Sequence, residues 1–412
     1  MMYKILFSCS ILISLEAVAA VNLKASFEAA RKNMESIKRA DSVVDQANEL
    51  KSKAKSAILP TITALGSYTK IDKPKGAGSS PFLLLEQRSA SLKLVQPIIK
   101  GGALSAYDYS KDNFLLAKFQ RDATELNLYE LVINSFYNLQ IAQTDVKNVQ
   151  ELLKYSKERV KEIRDRAQIG RSRRSEVVEA EAQLMIAESQ YQQTLIALDE
   201  AKRLFNFYTG IDPEKNELKD EDPKFAGTLS EYLQKIQDRP DIQASRQDAR
   251  LADRQVSIAK GGHYPSLDFI GNYYLTRTGV LSTSDWDVGF ALSIPLYEGG
   301  SVSADVREAT HGRRIAELQY KENLRAAERD VSFNYQSIIQ LQSQLKILKE
   351  ALSKSQEAYR LIQQDYKLGL VTNLDVLQSL NTFIETKRSY AKLQYVTHSQ
   401  IKNLEASVGV LP

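Results

Sequence analysis

The sequence predicts an α+β protein in which long coiled-coil helices alternate with pairs of short strands, the whole pattern being written twice. Three observations carry this. Landmarks recur about 200 residues apart, apolar residues repeat by sevens from Leu324 to Tyr366, and short runs alternate apolar with polar side chains. Composition agrees: of 412 residues 43% are hydrophobic and 26% charged, which excludes a disordered or collagen-like chain. With 55 Lys+Arg against 51 Asp+Glu the net charge is only +4, so there is no electrostatic case for a nucleic-acid partner. A single cysteine, Cys9, and three scattered histidines exclude a disulfide framework and speak against a Cys/His metal site. Eighteen glycines and ten prolines are few for this length and point to long uninterrupted elements.

Residues 1–20 read differently from the rest. Lys4 precedes an apolar run from Ile5 to Leu15, and Ala17-Val18-Ala19 closes it with small residues, as in a secretory signal cleaved after about Ala19. The run is too short to span a bilayer. Residues 1–19 are therefore expected to be a signal peptide, leaving a mature chain without cysteine outside the cytoplasm.

The repeat is read from paired landmarks. Gly170 and Gly369 lie 199 residues apart, as do Gly210 and Gly409, while Gln96-Pro97 and Ile294-Pro295 lie 198 apart. Two repeats are expected, over 21–210 and 241–412, with a turn-rich insert at 211–240 that contains Asp212-Pro213 and Asp222-Pro223. Each repeat is built on one long helix. In the second, Leu324, Val331, Ile338, Leu345, Leu352, Tyr359 and Tyr366 fall every seven residues, the signature of coiled-coil packing. In the first, Val132, Leu139, Val146, Leu153, Val160 and Ala167 repeat the register. Between Gly300 and Lys367 there is no proline and one glycine, Gly312, so a helix of about 100 Å is expected. Glycine ends it at Gly369, and Asn373 can cap a returning helix to about Val408; Gly170 and a helix from about Ser172 to Phe207 do the same in the first repeat. Half-length amphipathic helices are expected over 22–58 and 241–261.

Between the helices lie strands. Trp286, Val288, Phe290, Leu292 and Ile294 alternate with Asp287, Gly289, Ala291 and Ser293, and Leu267 to Leu275 alternate likewise. Weaker versions lie near Thr61–Ile71 and Ser89–Pro97. Nine to eleven residues suit a tilted membrane strand, and Tyr68, Tyr273, Trp286 and Tyr297 sit toward run ends like interface girdles. A half-buried soluble sheet has the same periodicity. Four strands cannot close a barrel, and open edges are forbidden in lipid, so strands in a membrane would have to be pooled by two or more chains.

At the level of motifs the chain resembles the TolC family of outer-membrane efflux channels across 21–412. The resemblance is carried by Ser89–Pro97, by Val288–Leu296 with Tyr297-Glu298-Gly299-Gly300, by Arg239-Pro240-Asp241-Ile242, and by Tyr366-Lys367-Leu368-Gly369-Leu370-Val371-Thr372-Asn373-Leu374-Asp375. It implies a homotrimer whose twelve strands close one β-barrel in the outer membrane, continuous with a periplasmic α-helical coiled-coil barrel. It also implies loops near 72–86 and 276–284 outside the cell, and helix turns at the periplasmic tip. The implied activity is passive efflux of small molecules or type I protein secretion, with a periplasmic adaptor and an inner-membrane efflux pump or ABC transporter as partners. Departures from the family pattern are Asn33-Met34-Glu35 in place of Asn-Pro-Glu, a more basic first turn, and Gln378 where a second acidic residue is common.

No catalytic, cofactor or metal site is expected. His263, His311 and His398 are isolated, and Gly261-Gly262 and Gly299-Gly300 lack the spacing and Lys-Ser/Thr of a phosphate loop. Three copies of Asp375 would form an acidic ring at the tip of a trimer, with Glu176 as its counterpart in the first repeat, although a carboxylate at a helix start also favours the macrodipole. Tyr366 lies in the heptad seam, and the resemblance makes it a gate-locking candidate. Arg164, Arg166, Arg171, Arg173 and Arg174 cluster at the first turn, so Gly170, Arg171, Arg173, Gly369 and Leu370 are the candidate adaptor-docking tip. A secreted coiled-coil scaffold is the alternative; an enzyme is a distant third.

Overall fold

The structure, a computed structural model, describes residues 21–72, 86–216, 218–219, 222–278 and 282–412. The expected signal peptide lies outside the described residues, as do 73–85 of the first expected strand-connecting loop and 279–281 of the second. In chain order the elements are α1 (Leu23–Asn33), α2 (Glu35–Ser56), β1 (Thr61–Lys70), β2 (Glu86–Ile99), α3 (Ala103–Gln168), α4 (Arg174–Thr209), α5 (Leu229–Lys235), α6 (Pro240–Lys260), β3 (Ser266–Arg277), β4 (Trp286–Ser293), α7 (Ser301–Leu368) and α8 (Asn373–Ala406). The two long helices, 66 and 68 residues, lie where the heptads place them. None of the heptad residues named for either repeat is exposed.

One expected helix is corrected. Residues 22–58 are not one helix: Met34 is extended, with ψ 127°, and separates α1 from α2. The break needs no proline, because Asn33 turns its side-chain amide onto the Thr209 carbonyl at 2.9 Å and the chain re-enters a helix at Glu35. The turn-rich insert also holds α5 and a 3-10 turn over Ile236–Asp238, followed by Pro240, which starts α6 at a position where a missing N–H costs nothing.

Close packing divides the chain into two units. One consists of Asn127–Leu229, Val331–Pro412 and the described residues up to Met34. Its core is aromatic and aliphatic: Tyr129, Ile133, Phe136, Tyr137, Leu139, Phe205, Ile338, Ile384 and Leu404 are all essentially buried. Phe27 packs on Tyr129 and Phe136 on Phe205, with ring centroids 4.9 and 6.2 Å apart. Farther along α3, Leu152, Ala187, Leu380, Phe383 and Ile384 form a second cluster that Tyr155 and Tyr359 flank. Arg388 donates to both oxygens of Asp145 and Lys387 pairs with Glu151, so α8 is also held to α3 by charge.

The other unit, Glu35–Leu126 and Ser230–Asp330, has a thin helical core of Leu116, Ala244 and Leu251, and carries the sheet. The four strands pair in the order β1-β2-β3-β4, all antiparallel. Pro97 sits at a register shift, where a strand tolerates the loss of a donor. The register gathers Ile62, Leu94 and Val288 in one row, Leu92, Tyr273 and Trp286 in the next, and pairs Phe269 with Phe290 and Leu267 with Leu292. Directly paired residues share a face, so this face is apolar; the other carries Thr63, Lys93, Asn272 and Asp287. On the apolar face Ile62, Val288, Phe290 and Leu292 are 58–73% exposed. Where β2 turns into α3, the chain crosses the end of α6 so tightly that a Cβ on Gly101 would stand 2.1 Å from the Gly261 carbonyl oxygen.

Candidate functional site

The two helix turns, α3–α4 and α7–α8, are built by the same backbone device. Gly170 (φ 70°) and Gly369 (φ 78°) take the left-handed conformation that closes a helix. At the first turn the Arg171 N–H bonds to the Arg166 carbonyl at 2.8 Å and the Gly170 N–H to that of Ala167 at 3.0 Å. At the second, Leu370 bonds to Asp365 at 3.0 Å and Gly369 to Tyr366 at 3.1 Å. These are the paired bonds of a Schellman motif, and they satisfy carbonyls that a helix end leaves open.

Beside the second turn lies a buried polar cluster. Tyr366 is only 7% exposed, and two guanidinium groups from α3 lie on its ring, Arg159 at 3.8 Å and Arg166 at 4.6 Å from the centroid. Glu162 bridges the two arginines, at 2.8 Å from Arg159 and 3.2 Å from Arg166. The Arg159 Nε then donates to Asn373 Oδ1 at 2.8 Å, tying α3 to the first residue of α8. Two turns deeper, Tyr359 is packed between Tyr155 and Phe383, and burial raises its hydroxyl to about 12, so it stays neutral while accepting from the Gln363 side chain.

The expected site residues divide between this cluster and the turn surfaces. Tyr366 is in the cluster. Asp375 turns back on its own helix start, where Oδ2 accepts from the Thr372 N–H at 2.7 Å and hydroxyl at 2.6 Å. Those bonds hold its carboxyl below the usual range and keep it ionised. Glu176 makes the weaker version, accepting from the Arg173 N–H at 3.3 Å. Of the five arginines, Arg164 is held by Glu181 on α4 and Arg166 by Glu162, whereas Arg171, Arg173 and Arg174 are exposed. Leu370 is 72% exposed and Gly170 and Gly369 stand clear of neighbours, so the two turns differ in surface, one basic and one apolar.

Sequence reasoning does not single out Arg159, Glu162 and Asn373 as a lock. The signal is present: Ser156, Arg159, Ile163 and Arg166 follow the three-and-four spacing of a buried stripe, so Arg159 stands where an apolar residue belongs. A buried arginine requires partners, and its position three residues before Glu162 names one.

Comparison with known proteins decides the rest. The family model for the outer membrane efflux protein matches residues 27–203 and 232–410. The chain belongs to that family. It is 22% identical to the outer membrane protein TolC of Vibrio cholerae, over 96% of this chain and 92% of that one. It is 23% identical to the probable efflux pump outer membrane protein TtgC of Pseudomonas putida, over 86% and 74%. The fold matches the Campylobacter jejuni CmeC outer membrane channel with a TM-score of 0.84 at 19% identity, over 94% of this chain and 85% of that one. It matches VceC of Vibrio cholerae at 0.83 and 19% identity, over 94% and 96%. This outer membrane efflux protein is thus a channel protein of the outer membrane, and the secreted-scaffold alternative falls.

Proposed function

We propose that this efflux protein works as a homotrimer in which three four-stranded sheets close one twelve-stranded barrel, and the two 199-residue-offset repeats of each chain supply a helical tunnel. The observation that carries this is the sheet itself. Its apolar face suits lipid, yet β1 and β4 each have a neighbour on one side only among the described residues. An edge left open in hydrocarbon costs several kcal/mol per unpaired backbone group, which closure by further copies removes. The conduit is passive and small-molecule cargo is driven by an inner-membrane transporter through a periplasmic adaptor. Type I protein secretion uses the same parts.

In this reading residues 211–240 form a belt between the repeats, and the turns are the periplasmic end. Tyr366, with Arg159, Arg166, Glu162 and Asn373, holds the conduit closed by pinning α7 and α8 to α3. Asp375 and Glu176 stand at the entrance as fixed anions, and Gly170, Arg171, Arg173, Gly369 and Leu370 meet the adaptor, the basic turn by charge and the apolar turn by contact. The deciding measurement is the mass of the detergent-extracted particle from the outer membrane. Three chains are expected; a monomer released without detergent would end the reading. Reversing Arg171 and Arg173 to glutamate should abolish adaptor cross-linking, and cross-linking that survives both changes would remove the docking assignment.

A further inference from the structure

The polar cluster on Tyr366 is charge-unbalanced and short of acceptors. Arg159 and Arg166 bring two permanent positive charges and Glu162 one negative charge. Arg159 is 8% exposed and Asn373 is fully buried, yet Arg159 Nη2 and Asn373 Nδ2 have no hydrogen-bond partner. The amide orientation is not arbitrary, because Oδ1 accepts from Arg159 Nε and the reverse orientation would set donor against donor. Nε and Nη2 share one edge of the guanidinium fork, so the free N–H of Arg159 is directed to the same side as Asn373. Asn373 is moreover the first residue of α8, where the helix field favours negative charge.

We propose that Arg159 Nη2 and Asn373 Nδ2, at the N-terminus of α8, form a buried site for a small monovalent anion of the halide class, which braces the α3–α8 contact. The size follows from the burial of both donors. The single charge follows from the single unbalanced guanidinium, which a divalent oxyanion would overcompensate. A bound water would satisfy both donors but leave the charge uncompensated, so dependence on the anion's identity separates the two. The inference rests on this geometry alone and stands or falls separately from the trimer and gate readings.

The test uses the full mature protein in detergent. Its thermal unfolding is followed while chloride is replaced by gluconate at constant ionic strength, and crystals soaked in bromide are probed by anomalous diffraction. The expected result is a melting temperature higher in chloride by about 2 °C or more, with a bromide peak in contact with both nitrogens. Asn373→Asp places a carboxylate against the Arg159 fork, so this variant should melt in gluconate as wild type does in chloride and lose the anion dependence. Equal melting of wild type in both salts with no bromide peak overturns the proposal, as does full chloride dependence in Asn373→Asp.

Discussion

The two helix turns have one backbone and two chemistries. Gly170 and Gly369 close their helices through the same pair of bonds, but the helices that begin after them are capped differently. Thr372 caps α8 with its hydroxyl and receives the Asp375 carboxylate in return, whereas Arg173 has no side-chain cap and α4 begins with only the longer bond to Glu176. The positions offset by 199 from the lock differ too. Arg159 corresponds to Ala358, which is exposed, Tyr366 to Ala167, and Asn373 to exposed Arg174. The backbone turn is common to both copies, and the lock is made by giving complementary side chains to each: cations to α3, the aromatic ring to α7 and the amide to α8. Geometry can be duplicated; a pair of complementary groups cannot come from identical halves.

The largest test of that asymmetry is Arg159→Met. It removes the nearer of the two cations from Tyr366 and leaves Asn373 Oδ1 buried without its donor, which should cost about 2–4 kcal/mol by chemical or thermal unfolding and raise the open probability in single-channel recordings. Ala358→Arg, the matching change in α7, should shift stability by less than about 0.5 kcal/mol. Equal effects at the two positions would show that the lock is not where the asymmetry lies.

Next come the glycines. No atom lies within 4 Å of a Cβ built on Gly170 or Gly369, so alanine there meets no clash and pays only for the left-handed backbone. Each substitution should cost about 1–2 kcal/mol, and by the same amount at both turns. A marked difference would mean that the shared bonds hide unequal strain.

Smaller effects are expected at the caps. Thr372→Ala should destabilise by about 1 kcal/mol, while Arg173→Thr should stabilise α4 by about 0.5 kcal/mol or more, because it supplies the hydroxyl that the first turn lacks. Both are read from unfolding midpoints. Acid gives the finest distinction. The Asp375 carboxyl titrates below its unfolded value near pH 3.9, so its contribution is complete above that value and lost as pH falls through the lower folded value. Asp375→Asn should therefore flatten the loss of melting temperature between about pH 4 and pH 2, and an unchanged acid profile would detach the carboxylate from the cap.

Much of this is legible in the sequence. The heptad runs locate α3 and α7, because a side chain that repeats every seven residues can be buried only in a helix, and alternation locates four strands. Glycine places both turns, since few other residues close a helix in the left-handed region. The helix break at Met34 is not legible: no breaker residue marks it, and its cause is an amide on Asn33 reaching a carbonyl 176 positions away. The crossing of Gly101 over Gly261 is likewise hidden, although both glycines are in view, because nothing local says that two distant turns must touch.

The candidate site shows the same division. Spacing puts Tyr366 in the heptad seam and Asp375 at a helix start, and the family resemblance marks both as gate candidates; the basic character of the first turn is a local property of the sequence. That Arg164 is occupied by Glu181, that Arg159 rests on Tyr366 and that it donates to Asn373 are facts of helices brought together. The sequence by itself determined the periodicities, the chain reversals and the alternation of strand faces, because these depend on residues within a few positions of one another. Only the tertiary structure decided which charges are spent on partners and which buried donors are left over, because hydrogen bonding and charge balance depend on distances between side chains that the chain order does not set.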